Sequence, residues 1–188
     1  MKKIMIPILI LMVVLCSCAA KGTNEPPVDP STTTSTTVTE PEPEIKEETK
    51  KSYKAAIYFA SEDAMYLIPE EREIKYEAED ELPLKVVKCL LSGPSAQNLY
   101  PVLNKDTVIN SVSVNSGVAT VSVDENFISL NSGGSTKEFM ALYSIVNSLC
   151  ELDSIDSVKF CLSDGTPVSE FGSYIIDLPL VKDTTMAD

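Results

Sequence analysis

The side chains that could do chemistry in this chain are defined first by one that is missing. The 188 residues contain no histidine, so Ser–His and Cys–His nucleophile pairs are excluded. No S-x-x-K occurs either. Carboxylates are plentiful. Glu77, Glu79, Asp80 and Glu81 form an acidic run that could attract Ca²⁺, but the ligand spacing and glycine of an EF-hand loop are absent. A solvated cluster opening a helix is the simpler expectation. Glu70 and Glu71 are adjacent, so in a strand they point to opposite faces and make a poor acid/base pair. Gly133-Gly134-Ser135-Thr136 stands at a helix start, where exposed amides could bind an anion. No Walker lysine follows, and Ser135 as a helix cap explains the same residues. Tyr58, Tyr66, Tyr76, Tyr100 and Tyr174 could form a glycan-binding platform, although tyrosines at the rim of a core are commoner. Cys89, Cys150 and Cys161 have no metal-ligand spacing. Cys89 or Cys150 could join Cys161 if the backbones approach within about 7 Å, but small buried hydrophobes are the expected role. The expectation is therefore a non-enzymatic protein with no catalytic residue, no cofactor and no metal.

One sulfur has a different prospect. Lys2 and Lys3 precede an apolar run from Ile4 to Leu15, followed by Cys16-Ser17-Cys18. This is the pattern of a secretory signal, and it is too short for a good membrane span of about 20 apolar residues. Leu15 and Ser17 ahead of Cys18 resemble the bacterial lipobox. The resemblance implies residues 1–17 as a signal peptide, cleavage before Cys18 and lipid on the Cys18 sulfur. Cys16 fits less well, because Leu15 would stand next to the cut. An anchored protein on the extracytoplasmic face of the membrane is expected, with membrane lipid as its first partner.

Charge narrows the other partners. The net charge is −13, which excludes double-stranded nucleic acid as an expected partner, since that needs clustered Lys and Arg. Residues 18–52 hold five prolines, a Thr/Ser run at 31–37 and almost no large apolar side chains. Such a segment cannot repay its ordering cost and reads as a tether of roughly 100 Å at most.

Residues 53–188 read as the folded domain. Lys54–Ala60 and Met65–Ile68 are strand candidates, with Arg72–Tyr76 ambiguous. Leu82, Val86, Val87, Leu90 and Leu91 have helical spacing, with Pro83 in the first turn and Gly93-Pro94 as the stop. Residues 108–114 and 118–123 alternate around Asn115-Ser116-Gly117 and predict a hairpin. Ser135 and Glu138 have capping-box spacing, and Phe139, Leu142, Tyr143, Val146, Leu149 and Cys150 form one stripe. That stripe, through Phe139, Leu142 and Val146, is expected to pack on Val121, Val123 and Phe160. Val158, Phe160 and Leu162 predict a late strand, and Pro179 places the last extended segment at an edge. The order argues for an α+β fold, a mixed sheet of about four to five strands with two helices on one face.

The ordered series AIYFASEDAMYLIPEEREI (55–73), LLSGP (90–94), YPVLNKDTVINSVSVNSGVATVSVDENF (100–127), IVNSLCEL (145–152), VKFCLSDG (158–165) and IIDLPL (175–180) resembles the GerMN family of sporulation and spore-germination domains. The resemblance implies a fold like ring-building motifs and no known enzymatic activity. It also implies a protein-binding or scaffold role in the cell envelope, with other envelope proteins or a second copy as partner. A small-molecule ligand is not expected. A glycan- or peptidoglycan-binding lipoprotein is the alternative.

Overall fold

The computed structural model describes residues 50–185. The signal, Cys18 and nearly all of the tether lie outside the described residues. Strands β1 (Lys51–Ala60) and β2 (Leu67–Tyr76) form an antiparallel hairpin, in register from Lys51↔Tyr76 to Ala60↔Leu67. Ala55, Ile57 and Phe59 of β1 enter the main core, while Tyr58 and Ala60 on the opposite face enter a smaller cluster. The second strand starts two residues later than Met65 and absorbs the ambiguous segment. The Ser61 hydroxyl accepts the amides of Met65 and Tyr66, which keeps both residues in the turn. Along β2, Leu67, Ile74 and Tyr76 are buried between charged residues that face water.

A single 3₁₀ turn at Glu79–Glu81 leads into α1 (Leu82–Leu91), which has proline in its first turn as expected. The helix buries Leu82, Val86, Val87 and Leu90, and Gly93 follows it at φ +81, a left-handed conformation that suits glycine. Strands β3 (Ile109–Asn115) and β4 (Val118–Val123) form the expected hairpin. Ser116 and Gly117 both have positive φ, which gives the turn the twist that two antiparallel strands need.

The chain continues through α2 (Phe127–Asn131), α3 (Ser135–Leu149), β5 (Ser157–Leu162), β6 (Glu170–Phe171), β7 (Tyr174–Ile175) and β8 (Leu180–Val181). The main sheet has the order β3-β4-β5-β8 and is mixed, because β4 and β5 are parallel. Parallel neighbours cannot be joined by a tight turn, and α3 supplies the crossover. The observed fold is the α+β arrangement expected.

Helix α3 packs on β1 and α1 as well as β5. Leu142 and Val146 share one core with Val121, Val123 and Phe160, as the stripe predicted. Phe139 departs from it. It is half-buried, stacks on Tyr143 at 4.3 Å between ring centroids, and packs against the cluster of Tyr58, Ala60, Leu67 and Met140. The reason is that α3 has apolar neighbours on two sides, so its apolar surface is wider than one stripe. The helix cap is also corrected. Gly134 is the cap residue, and Ser135 lies inside the first turn without a side-chain cap bond. Glu138 caps one step earlier than the Ser135 box implies, accepting the amides of Gly133 and Gly134 as well as that of Ser173.

Candidate functional site

The fold disperses most of the residues whose chemistry was considered. Glu70 is bound to Arg72 and accepts the amides of Ser95 and Ala96, tying β2 to the loop after α1. Burial works to raise its carboxyl pKa, but the Arg72 guanidinium and the two amides outweigh it and hold the group below the ordinary range. Glu71 points away to solvent. In the acidic run, Glu79 pairs with Lys51 at 2.7 Å and Glu81 with Lys85 at 3.2 Å. Among the described residues, no three His, Cys, Asp or Glu side chains gather as metal ligands.

The glycine-rich loop borders an open groove of about 580 Å³, shared with Ala60, Pro101, Val102 and Met140. Its Gly133 and Gly134 amides already donate to Glu138. Those bonds, and the amide of Ser173 above all, hold the Glu138 carboxyl below its ordinary pKa. The loop is thus a structural junction whose two glycine amides are already engaged.

The tyrosines do not converge. Tyr76 is buried, and Tyr58 is buried with its hydroxyl donating to Glu151 at 2.7 Å. Lys182 completes that cluster, and the tail is further held by Asn147, which exchanges two hydrogen bonds with the backbone of Asp183. Tyr174 donates to the Ser135 carbonyl. Only Tyr66 and Tyr100 expose much of their rings. The three described cysteines are free. Cys161 alternates with buried Phe160, so it stands on the sheet face away from α3, whereas Cys89 and Cys150 pack against the core. This removes the disulfide alternative. Burial pushes the thiols of Cys89 and Cys150 up, away from the reactive thiolate.

What remains is a backbone feature. Among the described residues, β3 has β4 on one side and no strand on the other. Alternate residues of such an edge point their N–H and C=O groups outward. From Ile109 to Asn115 the strand, INSVSVN, carries no charge. Its pairing is irregular between Ile109 and Ser111 and regular from Ser111 to Asn115. Beside this edge runs a groove of about 460 Å³, walled by Glu79, Asp80 and Pro83 and by Val112, Ser113 and Val114. Val112 and Val114 oppose Val121 and Ala119, so they belong to the core-facing side of the sheet, yet Val114 is 38% exposed. The groove therefore lies where the inward side chains of one more strand would fit. The alternation of residues 108–123 encodes the hairpin but not its open side. The available signal was the absence of charge over residues 107–115 in a strongly acidic chain.

Among the described residues no helix is long and apolar enough to cross a membrane. No curated protein matches the sequence. Among solved structures, a Clostridium perfringens protein provisionally described as a lipoprotein is similar at 22% identity and a TM-score of 0.51, over 72% of this chain and 89% of that one. The first GerMN domain of the Bacillus subtilis sporulation protein GerM is similar at 19% identity and a TM-score of 0.54, covering 69% of this chain and 97% of that domain. Against the tandem GerMN domains of GerM the values are 20% and 0.55, and the match spans 46% of that chain. At these identities the structures show the shared fold alone. Residues 56–169 match the Germane family, described as sporulation and spore germination. The chain belongs to this GerMN-domain family.

Proposed function

We propose that the protein is a lipid-anchored, extracytoplasmic binding module that holds other envelope proteins and catalyses no reaction, in a cell that forms or germinates spores. Cys18 carries the lipid, the residues between it and β1 form the tether, and the domain from Lys51 onward makes the contacts. The observation that carries the reading is the uncharged, unpaired edge of β3. A bare edge is a liability that soluble proteins usually blunt, so an unblunted one suits a protein whose edge is occupied in use. The tether supports the same reading, since confinement near the membrane raises effective concentration and lets a weak contact count. The family and the lipoprotein description of the Clostridium perfringens neighbour lend support for the compartment.

Two measurements test it. Intact mass of the membrane-bound form should show a chain beginning at acylated Cys18, and Cys18→Ala should release the protein or leave its signal uncut. A photo-crosslinking residue at Ser113 should capture envelope proteins in native membranes. The absence of any crosslink from this position and from the rest of the domain surface defeats the binding-module reading.

A further inference from the structure

We propose that the β3 edge takes an extended, cationic segment of a different protein as an added strand, with a Lys or Arg of that segment meeting Asp80. The inference rests on the binding-module reading above and specifies its partner. Strand addition uses backbone hydrogen bonds for affinity and alternate side chains for selection. Here the backbone template is Ser111–Asn115, the regularly paired part of β3. Inward side chains of the added strand enter the groove between Val112, Val114 and Pro83. These walls select small or branched apolar residues.

The far wall decides the charge. Glu79 is engaged by Lys51, and among the described residues Asp80 makes no ion pair or side-chain hydrogen bond. An exposed carboxylate beside an apolar groove offers a guest one direct electrostatic contact. The same wall disfavours a second copy of this chain. Pairing two β3 edges would bring the unpaired Asp80 carboxylates of both copies to one seam, in a molecule whose net charge is already −13. Like charges so placed oppose association. A guest strand with a basic residue at this point meets the opposite situation.

The test uses the full chain in lipid nanodiscs and two synthetic peptides of alternating valine and threonine, one with a central arginine and one with glutamate at the same position. Fluorescence anisotropy should show the arginine peptide binding more tightly, by roughly two- to fivefold for one exposed pair. The preference should vanish in Asp80→Asn, reverse in Asp80→Lys, and shrink with added salt. Val114→Pro, which removes an outward-facing amide because Ser113 and Asn115 spend theirs on β4, should abolish binding of both peptides, and Ser113→Lys should weaken both while the domain stays folded by circular dichroism. Equal affinity for the two peptides, or binding of neither, overturns the proposal. So does concentration-dependent dimerisation that Ser113→Lys removes, which gives the edge to a second copy. Envelope crosslinks from position 113 that persist in either case leave the general binding reading standing while this one fails.

Discussion

Strands β2 and β3 both end a sheet, and they treat that exposure in opposite ways. β2 reads LIPEEREIKY, with five charged residues and a proline in ten positions. Proline cannot donate to a ladder, and charges make a neighbouring strand costly, so this edge resists pairing. β3 reads INSVSVN and has neither device. β8, at the other end of the main sheet, is protected by having only two residues. β2 and β8 thus follow the usual rules of edge protection and β3 does not. The difference shows that protection is available to this chain and is withheld at β3. Solubility alone would favour the same treatment at both.

Weakening the support that both hairpins share should have the largest effect. Leu142 is fully buried on α3, the helix that packs on β1 and on β5. Leu142→Ala should cost about 2–5 kcal/mol, read as a lowered denaturation midpoint. Hydrogen exchange should rise in β1 and β5 together. An unchanged midpoint would mean that the two sheets are held independently and that comparing their edges has no common frame.

A smaller loss is expected from the guarded side alone. Glu70 anchors β2 through Arg72, Ser95 and Ala96, and Glu70→Ala should cost about 1.5–3 kcal/mol through bonds to a charged group. The sign of its pH dependence follows from its lowered carboxyl pKa. The folded state prefers the ionised form, so its contribution is complete above the ordinary value of 4.5 and fades as pH falls through the lower folded value. In Glu70→Gln that acid-induced loss should be smaller than in the parent. Thermal melts from neutral pH down through this range measure it, and parallel curves for the two proteins would remove Glu70 from the account.

Exchanging the chemistry of the two edges should change stability least and association most. Ser113→Lys, and Glu71→Thr with Glu73→Thr, alter exposed positions, where stability typically moves within about 0.5 kcal/mol. The first should suppress crosslinking at β3. The second should create self-association through β2, visible by size-exclusion chromatography with multi-angle scattering. If neither moves, edge charge does not govern where this domain associates.

Much of this was legible from residue order because the signals were local. The β3–β4 hairpin follows from alternation around Ser116-Gly117, and α1 from its apolar spacing, Pro83 and Gly93. The extent of β2 was harder to see, since its charged side dilutes the alternation and the register is set by partners in β1. Helix α2 leaves no periodic signature in the sequence. It has only five residues, too few for a period, and its buried Asn131 works through bonds to Thr107, Asn104 and Phe127. The displacement of Phe139 to the smaller cluster and the open side of β3 depend on which elements become neighbours. No local pattern encodes that.

The crossover through α3 has a consequence for the order of events during synthesis. A chain made from its N-terminus completes β3 and β4 before β5 exists, and only β5 covers the second side of β4. For that interval the hairpin has two bare sides, and until α3 follows, Ala119, Val121 and Val123 also lack the helix that will cover them. The nearest charges downstream are Asp124 and Glu125, which act as gatekeepers at the end of the strand. Chaperone capture and misassembly should therefore concentrate on the nascent β3–β4 hairpin, in the interval before Ser157–Leu162 arrives to close one of its sides.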